Sequence, residues 1–218
     1  NQVISKPSTA SIDTMQIYLK EKWGHPLSPH SFGQSLIPDL ESSYNNLYSL
    51  FAADDDSTII FTSSGAEAIN HIITAVYRDS VVSSGKNQFI TSNTESAPSI
   101  MAMGLLDSLG CVTRMAATDS EGYITSDAIA DSISPRTVLI SLSWANALTG
   151  VIQPIEEIAQ ICRQRGILLH VDASHIIESQ DLDLKKIEAD FITIDGSLLH
   201  APQGTGALYI RKDLTLSP

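Results

Sequence analysis

The sequence predicts an α/β fold: a mostly parallel sheet covered by helices on both faces, in three layers. Two observations carry this. Short apolar runs alternate with helix-like stretches through the middle of the chain, the pattern of a parallel sheet with crossover helices. Several of those runs also end in polar and small residues. The stretch Gly166–Gly206 shows both features: Ile167-Leu168-Leu169 leads into His170-Val171-Asp172 and Ala173-Ser174, and Phe191-Ile192-Thr193-Ile194 delivers Asp195-Gly196-Ser197-Leu198. An apolar run that ends in a carboxylate reads as a buried parallel strand presenting an acid at its carboxyl end, the edge where open α/β sheets hold ligands.

Taken in order, Asn1-Gln2-Val3-Ile4 reads as the continuation of an upstream residue or strand, and Lys6-Pro7-Ser8 as loop. Ser11 or Asp13 is expected to cap a helix bearing Met15, Ile17, Tyr18 and Leu19 that stops at Gly24. His25 to His30 forms a turn-rich connector, and a longer helix is expected over about 34–52. Asp54-Asp55-Asp56 is a solvated acidic turn without the ligand spacing a metal requires. Ser57–Phe61 is a strand, followed by the turn Thr62-Ser63-Ser64-Gly65 and a helix from Ala66 to about Tyr77. A hydroxyl-and-glycine turn that opens a helix aims backbone N–H groups and the helix dipole at one point, which suits a phosphate. An ordinary capped strand-to-helix turn fits this stretch equally well.

Gln88–Thr91 is a short strand ending in Ser92-Asn93-Thr94-Glu95-Ser96, then a helix to Leu109 with Gly110 as its stop. Cys111–Ala116 is a strand, Glu121-Gly122-Tyr123 a turn, 125–132 helical and Thr137–Leu142 a buried strand. Ser143–Gly150 is a loop at the ligand edge, and Pro154 starts a helix to about Arg165. A last strand, Ala207–Ile210, follows Gly204-Thr205-Gly206.

At 218 residues the chain can bury one large core, and a single α/β domain is expected. A net charge of -12 with no basic patch argues against a nucleic-acid partner. No apolar run is long enough to span a membrane, and no basic-then-apolar leader opens the sequence. Cys111 and Cys162 lack CxxC or metal spacing, which points to no disulfide frame and a cytoplasmic setting.

Several chemistries are compatible with pattern alone. His170, Asp172 and His175 contain metal-ligating types, although a third ligand on the face shared by His170 and Asp172 is lacking. Neither the G-x-S-x-G turn of a serine hydrolase nor a G-x-G-x-x-G after a strand occurs. An acid at a strand end beside a phosphate-type helix start suits a cofactor that has a basic ring nitrogen and a phosphate.

His25-Pro26-Leu27-Ser28-Pro29-His30-Ser31-Phe32-Gly33, Phe61-Thr62-Ser63, Gly150-Val151-Ile152-Gln153-Pro154-Ile155 and His170-Val171-Asp172-Ala173-Ser174 resemble the cysteine desulfurase (NifS-like) branch of the class V aminotransferases. The likeness runs over nearly the whole chain in order. It implies a fold-type I large domain using pyridoxal 5′-phosphate, L-cysteine as substrate, and a homodimer with the site near the subunit interface. The chain is accordingly expected to be one cofactor-type large domain over 1–218, with a helical arm at about 1–33; the family's small C-terminal domain with its cysteine loop has no counterpart after Pro218.

Carried over by position, Asp172 falls on the aspartate that keeps the pyridine nitrogen protonated so that the ring acts as an electron sink. His175 falls near the ring hydroxyl where relatives carry glutamine, and Asn146 on a loop asparagine followed by Ala147. Ser63, Ser64 and Gly65 fall around the phosphate, with Ser64-Gly65-Ala66 in place of Gly-Ala-Thr. Ser96 replaces the histidine that stacks on the ring. The family's Ser-Gly-His-Lys becomes Asp195-Gly196-Ser197-Leu198, so Ser197 falls on a phosphate contact and Leu198 on the Schiff-base lysine. Leucine has no amine, and a carboxylate at Asp195 would repel a phosphate dianion. Lys185 and Lys186 read as solvated charges of the crossover helix and not as replacements. Two readings follow: a working enzyme completed by residues outside this chain, or a homologue that keeps the fold without the catalysis.

Overall fold

The computed structural model describes residues 3–53, 56–179 and 184–217. Seven strands form one sheet: β1 Thr58–Thr62, β2 Gln88–Ser92, β3 Val112–Ala116, β4 Thr137–Ser143, β5 Leu168–Asp172, β6 Phe191–Asp195 and β7 Gly206–Ile210. Their order is β1-β7-β6-β5-β4-β2-β3. The β2, β3, β4, β5 and β6 pairings are parallel, while β7 runs antiparallel to both of its neighbours. The expected mostly parallel α/β sheet is therefore present.

Helices cover both faces. On one side α4 (Gly65–Val76) and α6 (Ala97–Ser108) pack Ile69, Ile72, Ile73, Met103 and Leu106 onto Phe89, Leu139, Phe191 and Leu208. On the other, α3 (Ile37–Phe51), α7 (Ser126–Ser132) and α8 (Ile155–Arg165) bring Phe51, Ile129, Ile155 and Ile158 onto Ile90, Ile140, Val171 and Ile192. Side chains alternate along a strand. Ser141, Ser143, His170, Asp172, Thr193 and Asp195 thus share the face that carries α4 and α6.

Several boundaries depart from the sequence expectation. The first helix, α1 (Thr9–Lys20), is capped by Ser8, whose hydroxyl accepts from the Ser11 amide at 3.1 Å, and it ends before Gly24. Ser11 instead donates its hydroxyl to the His200 carbonyl. The helix expected from about residue 34 is divided into α2 (Ser31–Gln34) and α3. Pro38 lacks the N–H that a continuous helix would bond back to Gln34 and fits the first turn of a new one. Beyond Val76 the α4 helix continues through a π-helical turn, Tyr77–Val81, into α5 (Val82–Ser84). Tyr77 and Val81 pack against the α4 core, which explains why the helix outlasts its expected end. Pro154 is the N-cap of α8 and not its first helical residue. The crossover between β5 and β6 contains α9 (Leu184–Ile187). Asp54 and Asp55 of the expected acidic turn, and the Lys185 side chain, lie outside the described residues; Lys186 is exposed.

The N-terminal arm lies along the turn after β6. The Ser5 amide bonds the Ser197 carbonyl at 2.8 Å, the Ser5 hydroxyl bonds the Leu198 carbonyl at 2.8 Å, and the Ser8 amide bonds the His200 carbonyl at 2.9 Å. These polar contacts attach the start of the arm, and α1 itself buries none of its residues.

Ile72 is fully buried between α4 and the sheet, whereas Val82 is 73% exposed near the end of the same helical run. Urea unfolding is expected to place Ile72→Ala about 2–5 kcal/mol below the wild type and Val82→Ala within about 0.5 kcal/mol of it. Equal effects would contradict this account of the core.

Candidate functional site

The carboxyl ends of β4, β5 and β6 and the start of α4 meet at one edge. Their closeness is set by β7. Its first residue, Gly206, pairs with Thr62 at the end of β1 and with Asp195 at the end of β6. A β-carbon at Gly206 would stand 2.6 Å from the Ser64 carbonyl carbon, so only glycine lets the Ser63-Ser64-Gly65 turn come this near. The turn thereby reaches Asp195: a β-carbon at Gly65 would lie 3.1 Å from that of Asp195.

The Ser63, Gly65 and Ser197 donors at this edge are already engaged. Asp195 accepts the Gly65 amide through Oδ2 at 2.9 Å, and the Ser197 amide and hydroxyl through Oδ1 at 2.9 and 2.5 Å. Glu67 accepts the Ser63 amide at 2.5 Å and the Ser63 hydroxyl at 2.6 Å. Ser64 caps α4, its hydroxyl accepting the Glu67 amide at 3.1 Å. Ser64 and Glu67 thus stand in capping-box spacing, with the glutamate reaching back one residue further than the cap itself. Four of the expected cofactor residues, Ser63, Ser64, Gly65 and Ser197, are brought together, but around two carboxylates of the chain itself.

Asp172 is joined to this group through Ser174. The Ser174 hydroxyl donates to Asp172 Oδ1 at 2.6 Å and accepts the Asp195 amide at 3.0 Å, and the Ser174 amide bonds the same Asp172 oxygen at 3.0 Å. Burial raises the Asp172 carboxyl above its ordinary value; the Ser174 bonds and His175 oppose the rise, and Asp195 adds to it. Asn146 ties its own loop to the β2–α6 turn: its side chain donates to the Thr94 carbonyl at 2.7 Å and accepts the Leu148 and Thr149 amides at 2.8 and 2.9 Å.

His170 is a core residue. Its Nδ1 pairs with the Ser141 hydroxyl at 2.8 Å and its Nε2 with the Thr193 hydroxyl at 3.1 Å. Complete burial pushes the ring down to about 3 and keeps it neutral. Among the described residues no group of three or more His, Cys, Asp or Glu side chains is placed to hold a metal ion.

Glu95 was not foreseen. It enters from the β2–α6 turn and accepts the Ser143 amide at 2.8 Å, the Ser143 hydroxyl at 2.6 Å and the Ser92 hydroxyl at 2.9 Å. Burial lifts its carboxyl to about 7; the serine bonds oppose this and Asp172 reinforces it. The sequence offered one cue, a lone acid just after an apolar strand. Glu67 had a clearer one in its capping-box spacing.

These residues do not fit pyridoxal 5′-phosphate. Leu198 supplies no amine and is buried. The Ser63, Gly65 and Ser197 amides face carboxylates of the chain itself. A unit charge about 4 Å from another repels it by about 4 kcal/mol at an effective dielectric near 20, and a phosphate dianion brought to Gly65 would meet Asp195 at close range. Ser96, at the N-cap of α6, leaves its hydroxyl buried and without a partner among the described residues.

A model of the class V aminotransferases matches residues 5–217. The cysteine desulfurase of Gluconacetobacter diazotrophicus is 31% identical over 220 residues, which cover 100% of this chain and 54% of that protein. The cysteine desulfurase of a Nostoc species is 31% identical over 218 residues, again 100% of this chain and 54% of the relative. The chain therefore spans about half the length of the curated relatives it matches. Among solved structures, a NifS-like protein superposes with a TM-score of 0.94 at 26% identity, covering 100% of this chain and 59% of that one. The structure of SspA in complex with cysteine shares the fold with a TM-score of 0.94 at 23% identity, covering 100% of this chain and 62% of that chain. The sheet is thus that of a NifS-like, fold-type I large domain.

The Glu95 carboxyl binds its proton more readily in the folded state than in the unfolded chain. Its stabilising contribution is complete below about 4.5 and is lost as pH rises through about 7. His170, neutral when buried, loses stability in the other direction, as pH falls from 6.5 toward about 3. Comparing wild type with Glu95→Gln isolates the first effect. The stability difference is expected to move by about 3 kcal/mol in favour of the variant between pH 4 and 8, measured by urea unfolding across that range. A pH-independent difference would contradict the burial of a titrating carboxyl here.

Proposed function

Because the chain belongs to the class V aminotransferase family, we propose that it is a cysteine desulfurase-like large domain that does not run the family's reaction. One observation carries this reading: Leu198 occupies the position of the lysine that forms the Schiff base. Covalent catalysis of this kind needs an amine that both bonds the cofactor and moves protons, and a buried alkyl side chain does neither. Support comes from the surrounding turn, which is fastened to the N-terminal arm through the Leu198 carbonyl and Ser5. Lys22 is paired with Asp39 at 2.6 Å and Lys186 is exposed on the crossover helix, so neither stands in for the missing amine.

On this reading 1–218 is the large domain and residues 1–33 its helical arm. Pyridoxal 5′-phosphate is at most weakly held, through Asp172 and His175. The exposed apolar side chains of the arm, Leu19, Trp23 and Leu27, support a homodimer joined there. Two buried free cysteines, Cys111 and Cys162, support a reducing, cytoplasmic setting. No helix among the described residues is long and apolar enough to cross a membrane. The alternative, an enzyme whose amine and thiolate come from residues outside these 218, draws on the chain's spanning only about half the length of its relatives.

The test is to incubate the purified protein with pyridoxal 5′-phosphate, dialyse, reduce with borohydride and map any pyridoxyl-lysine by mass spectrometry. The expected result is a colourless protein without a stoichiometric adduct, and no sulfide released from L-cysteine. A yellow band that survives dialysis and is fixed to one lysine, or sustained sulfide release, would overturn the reading.

A further inference from the structure

We propose that Asp195 is an internal anion that has taken over the phosphate position of this family site, closing it to phosphate ligands. The proposal rests on the family reading of the edge but is independent of the loss of the lysine.

Three features of the geometry support it. First, the carboxylate is held as a ligand would be: one oxygen on the Gly65 amide at the start of the twelve-residue helix α4, the other on the Ser197 amide and hydroxyl. A helix start offers unpaired amides and positive potential to an anion. Here that anion is covalently part of the chain, 130 residues away in sequence. Second, another carboxylate of the chain sits on the same turn, since Glu67 takes both the amide and the hydroxyl of Ser63. Third, the arrangement is fixed from behind. The Asp195 amide is held by the Ser174 hydroxyl, and the backbone at Asp195 is paired with Gly206. The backbone is thus pinned at both sides, and the carboxylate can swing away only by giving up its bonds to Gly65 and Ser197.

A bound anion and an internal one compete for the same amides, so the wild-type protein should ignore phosphate. Removing the carboxylate should release the Gly65 and Ser197 amides and remove a like charge. The experiment titrates inorganic phosphate into isotopically labelled wild type and into Asp195→Ser, following amide resonances and fitting affinities. Inorganic phosphate has no aldehyde, so the result does not depend on any lysine. The expected outcome is unmoved Gly65 and Ser197 amides in the wild type, and at least about tenfold tighter phosphate binding in Asp195→Ser. Should that variant not fold, Asp195→Asn, which fills the same space without the charge, is judged by the same criterion. Movement of those amides in the wild type would overturn the proposal. So would a folded variant that binds phosphate no better than the wild type. A Schiff base found in a protein that ignores phosphate would overturn the non-catalytic reading alone; phosphate binding without a Schiff base would overturn this inference alone.

Discussion

The start of β7 is the constraint on which the edge depends. Inserting one antiparallel strand between β1 and β6 places the ends of those two strands on either side of Gly206. The α4 turn and the end of β6 are then close enough for the Asp195 side chain alone to bridge them. A methyl group at Gly206 would push against the Ser64 backbone and separate Gly65 from Asp195. The bond from the Gly65 amide to Asp195 follows from that approach.

Serine recurs as the partner of each carboxylate there: Ser92 and Ser143 for Glu95, Ser174 for Asp172, Ser197 for Asp195, Ser63 for Glu67. Backbone amides supply most of the rest. Hydroxyls and amides can solvate a carboxylate, but they carry no charge to offset one. In a chain of net charge -12 the site therefore accumulates negative potential. Burial is the main reason the Glu95 and Asp172 carboxyls are raised, with a smaller push from Asp172 on Glu95 and from Asp195 on Asp172.

Much of the fold was legible in sequence because apolar runs and their polar ends are local signals. The β5 and β6 strands, their terminal acids and the turn before α4 all lie where the residue pattern places them. Pro38, by contrast, divided a helix that periodicity alone had joined. At the site, Ser63, Ser64, Gly65 and Ser197 lie close together in the structure, and the sequence does not say what they hold. Their partner Asp195 is remote in sequence from the α4 turn, and its repulsion toward a phosphate was legible while its capture of the Gly65 amide was not. The contacts of Asn146 were not legible for a related reason: its bond to the Thr94 carbonyl crosses 52 residues of sequence. Glu95 stayed hidden because its significance comes from Ser143 on another strand.

The internal carboxylate at Asp195 also changes what the fold needs from its surroundings. A protein that leaves a helix start open for a ligand is stabilised in proportion to the logarithm of that ligand's concentration, and its native population falls when supply falls. Here the counter-anion is present at a fixed effective concentration set by the chain itself. With that anion in the phosphate position, as proposed above, the native state of this edge would not depend on the level of a phosphorylated ligand.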